Sequence, residues 1–246
     1  MCTIVLAWRV FEDAPIALAA NRDESPDRPA DPPRRVPGDP AAIMPVDREA
    51  GGTWMGVTED GLLAVVANRW TEGDLAGERS RGLLVRDVLE ESSIDGATDR
   101  VREALDRDEY EGFALVLATS DRARLLVWDG DLDTHDLDPG LHVLVNVGFD
   151  GDHEIPEDRS AAGRRQADAA ARLDDRLAPQ ADEGVAEWLD RAGRALGDHD
   201  LGACRHHDRY QTVSSSLLAV DEGDVDWRYA DGPPCRTAFR PVDNQV

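Results

Sequence analysis

Met1-Cys2-Thr3-Ile4-Val5-Leu6-Ala7-Trp8 opens the chain, and its apolar run from Ile4 to Trp8 has the length and composition of a buried strand. Removal of the initiator methionine would leave Cys2 with a thiol and an α-amino group on one residue. The two groups titrate near pH ~8.5 and ~8, so the amine can take the thiol proton, as an N-terminal amine does for threonine nucleophiles. A strand anchoring that end would hold the reactive atoms still, where most chain termini fray. The plainer reading makes Cys2 a small core residue, since free cysteine is among the most buried residue types.

A second apolar run, Ile16 to Ala20, follows the polar break Glu12-Asp13-Ala14-Pro15, and this spacing predicts a hairpin. The run ends in Asn21-Arg22-Asp23-Glu24, which hairpin pairing would bring beside Cys2. There an arginine and an aspartate would hold a thiolate and orient an ammonium. Otherwise the four residues form a solvated turn with a surface ion pair of little worth. From Ser25 to Pro45 the prolines and the lack of hydrophobic period predict a long ordered loop. Gly51-Gly52-Thr53-Trp54-Met55-Gly56-Val57 combines paired glycines with a tryptophan, and glycine permits positive φ or close backbone approach. No strand-then-helix context supports a phosphate-binding loop there. A second hairpin is expected from Trp54 to Thr58 and Leu62 to Ala67, closed by Asn68-Arg69-Trp70. An asparagine amide at such a strand end can donate to a developing oxyanion.

The chain has 246 residues, which suit one large domain or two small ones, and no linker divides them. A single domain over residues 1–246 is therefore expected. The formal net charge of -24 argues against nucleic acid or an anionic membrane as a partner. All 27 basic residues are arginine. An acidic coat without lysine over a 41% apolar chain fits a folded protein in concentrated salt, where screening weakens self-repulsion. The expectation is a salt-loving cytoplasm. Cys2, Cys204 and Cys235 are too few and too scattered for a disulfide framework. The first apolar run lacks a basic leader and stops at Arg9, short of a signal core or a membrane span. No membrane insertion is expected, and the sequence carries no signal for oligomeric state.

Cys2-Thr3-Ile4, Ala20-Asn21-Arg22-Asp23-Glu24, Gly52-Thr53-Trp54-Met55-Gly56-Val57 and Ala67-Asn68-Arg69, in this order and spacing, resemble the NRDE-motif family, also called the transport and Golgi organisation 2 family. The resemblance covers most of the chain. It implies a kinship with the N-terminal nucleophile hydrolases, particularly the cysteine branch of bile-salt hydrolases and penicillin acylases. The implied fold is α+β, a four-layer αββα sandwich of two mostly antiparallel sheets. The catalytic set it suggests is Cys2 with Arg22, Asp23, Asn68 and Asn146, the last matched to an asparagine at a similar strand end in those hydrolases. Asn21, Glu24, Trp54 and Arg69 are the accompanying candidates for substrate binding. The family commonly carries an arginine after Tyr-Gly-Thr, whereas here the run is Tyr210-Gln211-Thr212-Val213, so an anion contact at Val213 is not expected.

Downstream, Ser80 caps a predicted helix with Leu84, Val85, Val88 and Leu89 on one face, and Ile94 to Asp106 predicts a second. Strands are expected at Phe113–Thr119, Arg124–Trp128 and Leu141–Val147, then an exposed helix at Asp158–Asp175 and another at Val185–Leu196. Further strands are expected at Thr212–Val220 and Val225–Tyr229. Hairpin groups and paired helices, rather than βαβ alternation, point to stacked antiparallel sheets with helices outside. Cys204-Arg205-His206-His207 has metal-ligand character, but a structural zinc site needs four ligands and no second Cys/His cluster is visible, so no metal is expected.

The leading functional expectation is a hydrolase or acyltransferase acting on a non-peptide amide or acyl bond of a small molecule, without a cofactor. The alternative, implied by the family's link to intracellular haem trafficking, is a non-catalytic haem carrier. In that case Cys2, His206 or His207 would lie near the iron and Arg22 and Arg69 near the propionates. A scaffold without turnover is the third reading.

Overall fold

The computed structural model describes residues 2–73, 75–207, 209–221 and 224–243. In chain order the first strands are β1 (Cys2–Phe11), β2 (Ala14–Glu24), β3 (Ala30–Val36), β4 (Ala42–Asp47), β5 (Met55–Thr58) and β6 (Leu63–Asn68). Helices α1 (Arg81–Val88) and α2 (Ile94–Arg107) follow, then β7 (Phe113–Ala118), β8 (Ala123–Trp128), β9 (Leu132–Asp136) and β10 (Gly140–Val145). The rest comprises the short β11 (Gly148–Phe149) and β12 (Asp152–His153), helices α3 (Ser160–Leu177) and α4 (Val185–Gly197), and strands β13 (Gln211–Asp221), β14 (Asp224–Ala230) and β15 (Arg240–Pro241). The fold is α+β, with two antiparallel sheets and four α-helices among the described residues.

Two compact units divide the chain, one built on Met1–Asp27, Pro139–Asp221 and Asp226–Val242, the other chiefly on Arg28–Asp138. The first holds an eight-stranded sheet in the order β12-β11-β10-β1-β2-β13-β14-β15. The hairpin expected from the opening runs is present, with Leu6 opposite Leu18 and Cys2 opposite Arg22. Helix α4 packs on β2 and β13, and α3 on β10. Trp188 anchors α4: it is fully buried, its ring lies against Phe11, and its indole N–H donates to the Leu177 carbonyl at 2.9 Å. Alternation of Asp and Arg with Ala made α3 look exposed, yet Gly163, Gln166, Ala169, Ala170, Leu173 and Leu177 are buried on one helical face. Small residues can face a sheet at close range as well as large ones can, and a stripe of them reads as polar only on average hydropathy.

The second unit holds a seven-stranded meander, β3-β4-β5-β6-β7-β8-β9. Helices α1 and α2 bury Leu84, Val85, Val88, Ile94, Val101 and Ala104 against Ala64, Val66, Phe113, Leu115 and Leu117 of the sheet. The alternate strand positions Leu63, Val65, Ala114 and Val116 are buried too, which is why these strands read as unbroken apolar runs. The Ser80 hydroxyl caps α1, accepting from the Gly82 N–H at 3.2 Å.

The region Ser25 to Pro45, expected as a loop, contains β3 and the start of β4. Pro32 and Pro33 hid the strand. They are tolerated because β3 lies at the sheet edge and its pairing with β4 is irregular between Asp31 and Arg34. The charged β9, with four of its five residues exposed at the other edge, carries no hydrophobic signal either. No helix is long and apolar enough to cross a membrane among the described residues.

Candidate active site at the amino end of the first strand

Three strands and the end of a fourth converge on Cys2. On β2, Arg22 lies directly opposite it, and on β13 Ser214 lies opposite Arg22. The β1/β10 register, with Ile4 opposite Leu144, carries Asn146 just past the end of β10 to the level of Cys2. There the Cys2 backbone nitrogen donates to Asn146 Oδ1 at 3.2 Å. Asn146 is fully buried, and its own N–H donates to Gln166 Oε1 at 2.9 Å, so α3 fixes the asparagine that meets Cys2.

The Asn21-Arg22-Asp23-Glu24 segment is the end of β2 rather than a solvated turn, and its first three residues are buried. Asn21 Nδ2 donates to the carbonyls of Leu196 and Ala203, both at 3.1 Å, tying the carboxyl end of α4 to the segment after it. Its Oδ1 is buried without a hydrogen-bond partner. Both amide hydrogens are thus used in holding the protein together. Arg22 Nη2 lies 3.9 Å from Glu24 Oε2, and Glu24 Oε1 accepts from the Ser25 N–H at 2.8 Å.

Asp23 accepts from the Thr212 hydroxyl at 2.6 Å, and Arg205 Nε lies 3.6 Å from its other oxygen. Burial raises its carboxyl above the ordinary range, while Thr212, Arg205 and His207 act in the opposite direction. Burial likewise pushes the Cys2 thiol up, and the Asp23 carboxylate adds to this. The positive charge of the amino terminus, the Asp23 backbone N–H and the Arg22 guanidinium pull it down without prevailing. A thiol kept protonated in this way needs a base at hand before it can attack.

Val213 has no partner on β2: pairing passes from Thr212 opposite Asp23 to Ser214 opposite Arg22, so Val213 forms a bulge beside the site. Such an inserted residue re-aims its neighbours. Thr212 turns to Asp23, while Ser214 bonds to the phenol of Tyr229, whose pKa burial raises and Ser214 lowers. Thr212, Arg205, Gln166, Ser214 and Tyr229 were not singled out in the sequence.

Trp54, Asn68 and Arg69 belong to the second unit. The Trp54 carbonyl accepts from Val66 N at 2.9 Å, which sets Trp54 beside the end of β6 that Asn68 closes. Trp54 packs partly buried against the helix-side core, and the Arg69 N–H donates to the Gly112 carbonyl at 2.9 Å. Cys2, Arg22, Asp23 and Asn146 form one cluster in the first unit, and Trp54, Asn68 and Arg69 another in the second.

The family model of Transport and Golgi organisation 2 matches residues 1–226. No curated protein matches the sequence. Among solved structures, the fold is similar to the Caenorhabditis elegans N-acylethanolamine-hydrolyzing acid amidase ortholog, at TM-score 0.55 and 12% identity, over 91% of this chain and 94% of that one. It is similar also to two mutants of the conjugated bile acid hydrolase from Clostridium perfringens. For an arginine-to-leucine variant the TM-score is 0.57 at 12% identity, over 99% of this chain and 92% of that one. For a cysteine-to-alanine mutant it is 0.54 at 10%, over 100% and 97%. These neighbours are N-terminal nucleophile hydrolases, and theirs is the fold seen here. The extent of the family match settles the affiliation: the chain belongs to the Transport and Golgi organisation 2 family.

Proposed function

We propose that the protein is an N-terminal-cysteine hydrolase or acyltransferase that cleaves an amide or acyl bond of a small molecule. The observation that carries this reading is the 3.2 Å hydrogen bond from the Cys2 nitrogen to Asn146 Oδ1. Once Met1 is removed, that nitrogen is the α-amine. Asn146 would then orient it beside a thiol that burial keeps protonated. The amine takes the thiol proton as sulfur attacks the carbonyl carbon, and returns it to the leaving nitrogen as the acyl-enzyme forms. Water, or an acceptor amine in the transferase case, then releases the acyl group. In this scheme Asn146 is the residue that donates to the developing oxyanion. Arg22 and Asp23 position the nucleophile. The activities named for the structural neighbours, hydrolysis of N-acylethanolamines and of conjugated bile acids, suggest N-acyl conjugates as the first substrates to try.

The test pairs intact mass spectrometry with an acyl-release assay over a panel of N-acyl conjugates. Chains lacking Met1 should release acyl groups and be labelled by an electrophilic amide, and Cys2→Ala should do neither. Turnover in the alanine variant, or in chains that keep Met1, would defeat the mechanism.

The haem-carrier reading has no observation of similar weight. His206 Nε2 lies 3.2 Å from Cys235 Sγ and 3.7 Å from Cys204 Sγ, so that histidine already faces two thiols. Cys2 is engaged with Asn146 and Asp23. A haem titration without a saturable Soret shift is the expected result.

A further inference from the structure

The expectation of no metal rested on Cys204-Arg205-His206-His207 standing alone, and the fold removes that ground. His199, just beyond α4, and Cys235, in the turn after β14, join Cys204 and His206, with the four ligand atoms all within 4.8 Å of one another. His207 is not among the four. We propose that His199, Cys204, His206 and Cys235 bind one zinc-class divalent ion in a closed, structural Cys2His2 site.

The geometry is near that of a coordination tetrahedron. Zinc–sulfur bonds of ~2.3 Å and zinc–nitrogen bonds of ~2.0–2.1 Å give sulfur-to-nitrogen edges of about 3.6 Å. The two such edges described here are 3.2 Å and 3.7 Å, both from His206 Nε2. The His199 and His206 rings meet edge-on at 5.2 Å between centroids, so the cluster needs only a small contraction to close on an ion. Two thiolates and two imidazoles, with no carboxylate, select zinc or a similarly thiophilic metal over magnesium or calcium. Four protein ligands leave no open position for a substrate, which marks the site as structural.

The backbone around the ligands is already held. Arg205 and Thr212 exchange two hydrogen bonds, both at 3.0 Å, and His206 bridges to Gln211. Alternation along this extended segment sends Cys204 and His206 to the cluster and Arg205 to Asp23. On the other side, the Pro233 carbonyl accepts from the N–H groups of Arg236 and Thr237 in the turn presenting Cys235. Gly197 lets that turn approach, since a Cβ there would lie 3.1 Å from the Cys235 nitrogen. The ion would therefore clamp the end of α4 and the turn after β14 to the same segment whose Ala203 carbonyl holds Asn21. This inference does not depend on the hydrolase reading.

The experiment uses the full chain without a histidine tag, purified under reducing conditions, stripped with chelator and titrated with zinc and with cobalt. The expected result is one ion per chain. Cobalt should show thiolate charge-transfer bands and the intense visible bands of a tetrahedral centre. Cys235 and His199 are exposed, so Cys235→Ser and His199→Gln should keep the fold, checked by circular dichroism. Each should weaken metal binding by more than the roughly 10- to 100-fold that loss of an outer-shell partner costs, and together they should abolish the cobalt spectrum. Two results would each overturn the proposal: less than a tenth of an equivalent bound by the parent chain, or undiminished binding in the double variant.

Discussion

Asn146 sits at the meeting of three demands: its oxygen receives the Cys2 nitrogen, its backbone N–H is held by Gln166, and its amide nitrogen is the donor our mechanism assigns to the oxyanion. Asn146→Ala should lower turnover by about 10²–10³-fold, the scale of losing one oxyanion donor, while the chain still folds and loses Met1. Equal acyl release by the variant would remove Asn146 from the chemistry. Asp47 permits a prediction of a different kind. Burial alone would raise its carboxyl, but Arg28, at 2.6 Å and 2.9 Å, and the N–H groups of Glu49 and Ala50 outweigh that and hold it below the ordinary carboxylate range. A carboxyl whose pKa is depressed on folding contributes stability above its unfolded value, near ~3.9, and that contribution is lost as the pH falls through the lower folded value. Denaturant midpoints for Asp47→Asn should thus fall below the parent near neutrality and converge with it in acid. That Arg22 and Asp23 lie beside Cys2 follows from hairpin pairing, a short-range rule, whereas Asn146 was reached only through the family resemblance. Thr212, Arg205 and Gln166 were not legible, because nothing local marks a residue whose partner lies far along the chain.

At the scale of the element, the paired glycines before Trp54 serve the two purposes glycine allows. Gly51 has φ +72°, and Gly52 lies so close to α1 that a Cβ there would stand 2.3 Å from the Gly82 carbonyl carbon. The same contact carries the 2.9 Å hydrogen bond from Thr53 N to the Gly82 carbonyl, so this motif docks the first turn of the helix. Gly52→Ala should cost roughly 1–3 kcal/mol, the usual range for forcing extra volume into a packed site, read as a lower urea midpoint at unchanged slope. An unaffected midpoint would mean that α1 moves away freely. Elements with a strong apolar period, such as β1, β6, β7 and α4, were legible to within a few residues. The strand β3 was hidden by proline and β9 by charge, and both depend on the neighbour already in place to recruit them. The face of α3 was misjudged for another reason, since alanine and glycine bury without announcing it.

Over the whole molecule, the net charge of -24 is met by arginine alone, and many of those arginines reach carboxylates. Self-repulsion of such a surface falls as the Debye length shrinks, from ~10 Å at 0.1 M to ~3 Å at 1 M. Thermal midpoints should accordingly rise with potassium chloride, and full stability in dilute buffer would contradict a high-salt habitat. Screening also weakens the charges with which β9 keeps other chains from its open side. The remaining borders carry steric protection as well. The outermost strand at one side contains Pro32 and Pro33, and β12 and β15 are two residues long. Brine dissolves electrostatic barriers to aggregation but leaves steric ones untouched, so substituting Pro32 and Pro33 would expose a bare hydrogen-bonding margin on which copies of the protein could polymerise.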